Sequence, residues 1–349
     1  MRIFRPLRQM AAAVLIASAS GCANFGYYLQ SVGGQMNVVE ARQPIANVIS
    51  NPQTPPELKR QLELALEIRN FASRELAEPD NESFRSYADL KRPYALWNVF
   101  AAPEFSLEPH RWCFLLAGCV GYRGYFSHDE AANFADGLRA EGYDVYVAGV
   151  PTYSTLGWFD DPLLNTFIDY PEPDLARIIF HELAHQIVYV KDDTTFNESF
   201  AVAVELEGVR RWLAQRGDPA LKAEFERSQR RRAQFQALIA EYRARLDGLY
   251  RQPIAPEAMR ARKADLFAAM KQDYSRLKAE WGGFAGYDRL FETPNNALLA
   301  AVALYTERVP QFQQLIEKHH SDLAAFYAEV TEIARLDKEE RERALRTPR

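Results

Sequence analysis

Phe180-His181-Glu182-Leu183-Ala184-His185-Gln186, followed by Asn197-Glu198-Ser199-Phe200-Ala201, is the stretch on which the fold reading turns. Side chains four apart share one face of a helix, so His181 and His185 can present two imidazole nitrogens to one ion while Glu182 stands beside them. Pro173-Asp174 opens this helix with a proline and an acid, both suited to a helix N-terminus. Leu175, Ile178, Ile179 and Leu183 give it an apolar face, and the pattern predicts helix as far as Tyr189. A turn through Lys191-Asp192-Asp193-Thr194 leads to a second helix over Phe196–Leu213.

Residues in this pattern suit peptide-bond hydrolysis. That reaction needs a nucleophilic hydroxide, a polarised carbonyl and a proton for the leaving amine. Zinc held by three protein ligands with one open position provides the first two. His181 and His185 are two candidate ligands, and Glu182 is the candidate general base. Downstream helical carboxylates are Glu198 and Glu205, whereas Asp192 and Asp193 fall in the turn. Glu198 is the expected third ligand, because it opens a helix that can fold back antiparallel on the first. Glu205, seven residues on, is placed to accept the remaining N–H of a ligand histidine, with Asn197 as a further supporting residue.

Upstream, Asn24 to Met36 reads as an aromatic segment broken at Gly33-Gly34 that docks on the domain. Asn37–Ser50 and Pro56–Leu76 carry helical spacing. From Tyr94 the period changes, and Tyr94–Ala101, Trp112–Tyr122 and Tyr143–Val150 read as strands, with a helix over Asp129–Glu141. These form a small mixed sheet with one crossing helix. Downstream, Pro219–Tyr250 and Pro256–Glu280 read as a helical hairpin broken at Gln252-Pro253. Arg230-Arg231-Arg232 reads as a solvated face. Asn295–Tyr305 is a short apolar helix, and Pro310–Leu345 one last helical stretch with His319-His320 facing solvent.

The first residues differ from the rest. Arg2, Arg5 and Arg8 precede an apolar run over Met10–Ala19, which is too short to span a bilayer as a permanent helix, and small residues lead into Cys22. This predicts an export signal at 1–21, with lipidation of Cys22 or ordinary cleavage nearby as the alternatives. Without it the chain has 39 basic and 47 acidic side chains, a net charge of −8, which argues against nucleic acid as a partner. Cys113 and Cys119, separated by five residues that include a glycine, are expected to close a disulfide in an oxidising envelope; two buried thiols on a hairpin are the alternative.

Asn197-Glu198 after the histidine helix resembles the gluzincin metallopeptidases. More closely, the chain resembles the bacterial family of putative zinc-dependent aminopeptidases, many of them lipoproteins. The resemblance rests on Tyr27-Tyr28 and Gly33-Gly34, Trp112-Cys113 with Gly118-Cys119, Tyr122-Arg123-Gly124-Tyr125-Phe126, and Tyr153 to Pro162. It also rests on the histidine helix, Asn197–Ala201 and Asn295-Asn296-Ala297. It implies an α+β, mainly α-helical fold: a zincin-like metallopeptidase core with the small mixed sheet and the C-terminal helical hairpin. It further implies Zn2+ as cofactor, a peptide or protein substrate, and a lipid anchor on Cys22. With no acidic residue directly after Cys22, the expected location is the outer membrane, facing the periplasm.

The expected organisation is thus a signal at 1–21 and one metallopeptidase domain over 22–349. Its parts are helical (22–92), sheet and loop (93–170), zinc-site helices (171–218), hairpin (219–280) and C-terminal helices (281–349). Gluzincins stabilise the oxyanion with a tyrosine or histidine, for which Tyr305 and Tyr153 are candidates. The Gly-x-Met-Glu-Asn stretch that anchors the substrate amine in well-characterised gluzincin aminopeptidases has no counterpart. Glu104, Glu108, Asp160 and Asp161 are the substitutes considered. The competing readings are an envelope endopeptidase or assembly factor of the same fold, and a non-catalytic zinc-containing binding module.

Overall fold

The computed structural model describes residues 26–114 and 118–346; the expected signal segment and Cys22 lie outside the described residues. The fold is mainly helical with small sheets, an α+β arrangement. In chain order it has helix α1 (26–41), β1 (Arg42–Pro44), α2 (Ile45–Ser50), α3 (Pro56–Glu75), β2 (Ser86–Ala88), β3 (Leu96–Pro103) and β4 (Trp112–Phe114). Then come β5 (Gly118–Val120), β6 (Arg123–Tyr125), α4 (His128–Ala140), β7 (Tyr143–Val150) and β8 (Leu163–Leu164). The remainder is helical: α5 (Glu172–Ala184), α6 (Thr194–Arg216), α7 (Pro219–Tyr250), α8 (Pro256–Glu280), α9 (Asp288–Glu292), α10 (Asn296–Leu304), α11 (Val309–Lys318), α12 (Leu323–Ala334) and α13 (Lys338–Arg346).

The largest core packs α3, α5, α6, α11 and α12 around Phe71, Phe180, Phe200, Phe312 and Phe326, all buried. Strands β6, β3 and β7 form an antiparallel sheet in that order. Alternation along β3 sends Val99 and Ala101 to α4, and Phe100 and Ala102 to α10. The sheet therefore lies between those helices, with its second face turned toward the site.

Four local expectations are corrected. Helix α1 continues through Gly33-Gly34, because Gly34 lies against the Phe126 ring where a Cβ would clash; the glycine serves close approach. The expected helix over 37–50 is instead interrupted at Pro44, which has no N–H to give and precedes α2. The single strand over Trp112–Tyr122 is a β4–β5 hairpin closed by the Cys113–Cys119 disulfide, followed by β6, so the sheet β6–β3–β7 is antiparallel; the mixed sheet is a separate one, β1–β2–β8, with β1–β2 antiparallel and β2–β8 parallel. The last stretch is three helices, because His320 (φ 51°) and Ser321 (φ 63°) turn left-handed after α11, and His319 is paired 2.6 Å from Glu329 rather than facing solvent.

Candidate metal centre and cleft

Helix α5 ends one turn earlier than its apolar pattern suggests, at Ala184, yet His185 keeps right-handed helical angles (φ −60°, ψ −20°) as its cap. His181 and His185 therefore remain one turn apart. The chain then turns and α6 starts under Asp193, whose Oδ1 accepts from Phe196 N at 3.1 Å while Oδ2 takes Arg341 at 2.7 Å. Asn197, expected beside a ligand histidine, instead closes this connection. Its Oδ1 accepts from Val190 N at 2.7 Å and its Nδ2 donates to Val190 O at 2.8 Å. A side-chain amide carries one acceptor and one donor group, which is what a single residue's free backbone pair requires. That clamp ties the first turn of α6 to the end of the connection from α5. The β4–β5 hairpin adds a brace, with Cys119 N bonded to Asp192 Oδ1 and Arg111 donating to Asp192 O at 2.7 Å.

Across this angle His181 Nε2, His185 Nε2 and Glu198 Oε2 converge. The two nitrogens are 3.2 Å apart, and the oxygen is 3.3 Å from His181 and 3.6 Å from His185. Glu205 Oε2 lies 2.8 Å from His181 Nδ1 and accepts its proton, since Glu205 is held ionised by Arg177 (3.4 Å) and Arg232 (3.1 Å). The Nε2 of a neutral His181 is then a lone pair facing another ring nitrogen and a carboxylate. Three acceptors meeting in a buried place call for positive charge between them. A tetrahedral ion with bonds of about 2.0–2.1 Å separates its ligand atoms by about 3.3–3.4 Å, so these three donors could hold one.

The electrostatics agree with that demand. Burial disfavours the His181 cation, yet the carboxylates of Glu198 and Glu205 outweigh it and push the pKa up to about 10. Burial raises Glu198 and Glu205, but the histidines around Glu198, and Arg177, His181 and Arg232 around Glu205, bring each down to about 2. Glu182 moves the other way: its burial, with Glu198 and Glu205 nearby, outweighs both histidines and raises its pKa.

The centre opens on a cleft of about 990 Å³ between the sheet, α1, the loop after β7 and α10. Tyr305 lines it, half-buried near Glu198, Tyr122 and Glu182. Tyr153 also lines it, but its hydroxyl donates to Gln35 Oε1 at 2.5 Å. Among the described residues, the acidic side chains lining the cleft are Glu182, Glu198 and Glu205. The four substitute amine anchors lie elsewhere: Glu104 is bound by Arg260 at 2.6 Å, Asp161 is buried under Thr155 N, and Glu108 and Asp160 do not reach the cleft.

Sequence reading missed Arg177, Arg232, Tyr122 and Tyr189. Arg177 stands four residues before His181 on the same face, a signal that was available. Arg232 was masked by its neighbours, although three consecutive helical residues span some 200° and so do not all share one narrow solvated face. Tyr122 and Tyr189, both near Glu198, carry no local spacing signal.

A family model described as "Putative aminopeptidase" matches residues 26–345. No curated protein and no solved structure matches the chain.

Proposed function

The chain belongs to the putative aminopeptidase family, and on that premise we propose that it is an exported, lipid-anchored zinc metallopeptidase with a zincin-like core. The observation that carries the reading is the convergence of His181, His185 and Glu198 donors beside the buried Glu182. When bound, zinc supplies a Lewis acid for the scissile carbonyl and a nucleophile at neutral pH.

The chain's own groups do the rest. Glu205 fixes the His181 tautomer and ring orientation, so that Nε2 faces inward. Glu182, its carboxylate raised by burial, takes a proton from the attacking water and returns it to the leaving amine. Tyr305 offers a hydroxyl to the developing oxyanion; Tyr153 is the weaker candidate, because Gln35 already holds its hydroxyl. Glu182 also argues against a non-catalytic module, since a structural zinc site needs no base and closes with four ligands.

Aminopeptidase action follows the family. Endopeptidase action is the second reading, favoured by one observation: among the described residues, the acidic side chains lining the cleft are all engaged at the centre, which leaves none of them for a substrate ammonium. Export rests on the sequence of residues 1–22, and the Cys113–Cys119 disulfide fits an oxidising compartment. The anchor on Cys22 and an outer-membrane position facing the periplasm belong to the same proposal.

Zinc content of the purified protein should be close to stoichiometric and should fall in His181→Ala, His185→Ala and Glu198→Ala, while Glu182→Gln keeps zinc and loses hydrolysis. Full zinc in Glu198→Ala would remove Glu198 from the ligand set. Comparing a peptide with its N-acetylated form separates the two peptidase readings, because only the exopeptidase needs the free amine.

A further inference from the structure

Helix α1 is built the wrong way round for a helix on a protein surface. Its outward face carries Leu29 (57% exposed), Val32 (62%) and Met36 (49%), with Tyr28 at their edge and Gly33 between them. Its inward face carries Gln30, Ser31 and Gln35 beside Tyr27 and Val38, while Asn37 and Glu40 are exposed near its C-terminal end. Gln30 Oε1 accepts from Phe126 N at 3.1 Å, and Gln35 Oε1 accepts from Tyr153. Glu40 is the one charged residue in 26–41. A surface helix ordinarily turns its apolar stripe to the core and its charges to water. Here the stripe at positions 29, 32, 33 and 36 faces away from the domain.

A second apolar element flanks the same helix. Trp158 (71% exposed) and Phe159 (52%) project from the loop after β7, which is tied to α1 by Tyr153–Gln35 and to β1, directly after α1, by Arg42 Nη1 donating to Asp160 O at 2.8 Å. Helix and loop both wall the cleft, through Tyr27, Ser31 and Gln35 on one side and Tyr153, Ser154 and Leu156 on the other. Tyr28 itself lines the cleft, and the other exposed apolar residues stand on the outer faces of the two elements that wall it, forming its rim.

We propose that this rim is a membrane-docking face: α1 and the Trp158-Phe159 loop lie in the interfacial layer of a lipid bilayer and hold the cleft mouth against its surface. The choice of a bilayer over a second protein comes from the chain that precedes the helix. Residue 26 follows Cys22 by four positions, and residues 1–22 have the basic start, apolar run and small residues of an envelope anchor. Any anchor at Cys22 places the first turn of α1 at the lipid headgroups, where an outward apolar stripe gains what it would lose in water. Tryptophan and tyrosine suit that layer, having an apolar body and a polar edge. Among the described residues no helix is long and apolar enough to cross a membrane, so the contact is one of lying on the surface. The proposal rests on the envelope reading for the identity of the partner, and the experiment keeps the two apart.

The test uses the exported protein carrying Cys22→Ser, which has no acyl chain at that position, and vesicles of phosphatidylethanolamine and phosphatidylglycerol. Flotation with the vesicles is expected, and Leu29→Ser with Val32→Ser should lower partitioning by about an order of magnitude, as should Trp158→Ser. Bromine-labelled lipid should quench tryptophan emission, and Trp158→Phe should abolish most of that quenching. Unchanged thermal melting of the variants excludes misfolding, since the replaced side chains are exposed. The proposal is overturned if the Cys22→Ser protein does not float, if flotation ignores these substitutions, or if the same substitutions dissolve a concentration-dependent dimer instead. Palmitate labelling of the parent chain tests the anchor separately: a labelled parent with a non-floating Cys22→Ser form would keep the anchor and reject the docking face.

Discussion

Helices α5 and α6 and helices α7 and α8 are both antiparallel pairs joined by short connections, and they handle charge in opposite ways. In the first pair, Glu172–Trp212, Arg177–Glu205 and Val190–Asn197 contacts run in opposing order along the chain. In the second, Gln234–Trp281, Tyr242–Asp273 and Gln252–Arg262 do the same. The first pair buries Glu182, His185, Glu198 and Glu205. The second leaves its ions at the surface, paired about one turn apart, as in Glu224 with Arg227 and Glu241 with Arg245. Water screens the second set, so each such pair contributes little. The first set has no water to rely on and is tolerable only through cross-pairing. Arg232 is where the two regimes meet, a residue of the outer pair spent on neutralising the inner one.

Breaking that link should produce the largest effect. Glu205→Ala removes the carboxylate shared by Arg177, Arg232 and His181, leaving Arg177 only Asp174 at 3.6 Å and His181 only Glu198 at 3.3 Å, and should lower unfolding stability by about 3 kcal/mol. Arg245→Ala on the outer pair should change it by less than about 0.5 kcal/mol. Urea unfolding of the two variants measures the contrast, and equal losses would mean that burial does not distinguish the pairs. In the parent, the Glu205 pKa is depressed to about 2, so its stabilisation is complete above its ordinary value of 4.5 and is lost as pH falls through about 2.

Asp161 sharpens the comparison, because it is buried like Glu205 but, among the described residues, no cation pairs with it. Burial, with Glu182 and Asp160 adding to it against the Thr155 hydrogen bonds, raises its pKa from 3.8 to about 7. The sign is the reverse of Glu205. The native state holds the Asp161 proton more tightly than the unfolded chain, so its contribution is fully present below pH 3.8 and is lost as pH rises through about 7. Asp161→Asn keeps an acceptor for Thr155 and cannot ionise. Its stability relative to the parent should be near zero at pH 4 and should grow to about 1–3 kcal/mol at pH 8. Melting temperatures of both proteins at the two pH values test this; a constant difference would show that Asp161 stays protonated, or stays hydrated, throughout.

Legibility in the sequence follows the same division between local and long-range causes. The spacing of His181, Glu182 and His185, and the long periodic runs of α7 and α8, are set by neighbours on one helix and could be read directly. Arg232 and Tyr122 reach the centre from elements far along the chain, and no local period records that. Asn197 illustrates a subtler limit: its position beside Glu198 suggested support for a ligand, but the nearest unpaired backbone groups were those of Val190. The split of the last helical stretch was hidden because His320 and Ser321 adopt left-handed angles without a glycine to announce them. Helix α1 misled for the opposite reason, since Gly33-Gly34 announces a break where the structure uses one glycine for contact with Phe126.

Two glycines offer the finest test of how differently the pairs are packed. Gly208 lies in α6 where an added Cβ would stand 2.7 Å from both Leu76 Cδ1 and Phe180 Cδ2, two fully buried side chains. Gly248 lies in α7 with nothing within 4 Å of the same position. Helix propensity favours alanine over glycine by about 1 kcal/mol at either site, through the entropy glycine loses on folding. At Gly248 that gain is unopposed, so Gly248→Ala should stabilise by up to about 1 kcal/mol. At Gly208 the neighbours have no free space to move into, and overpacking at about 1–3 kcal/mol outweighs the gain, leaving a net loss of roughly 1 kcal/mol. Opposite shifts in the urea midpoint, with unchanged dependence on denaturant, are the expected result. If Gly208→Ala also stabilises, Leu76 and Phe180 can yield, and the angle between α5 and α6 is held by the Asn197 clamp and the buried charges rather than by close packing.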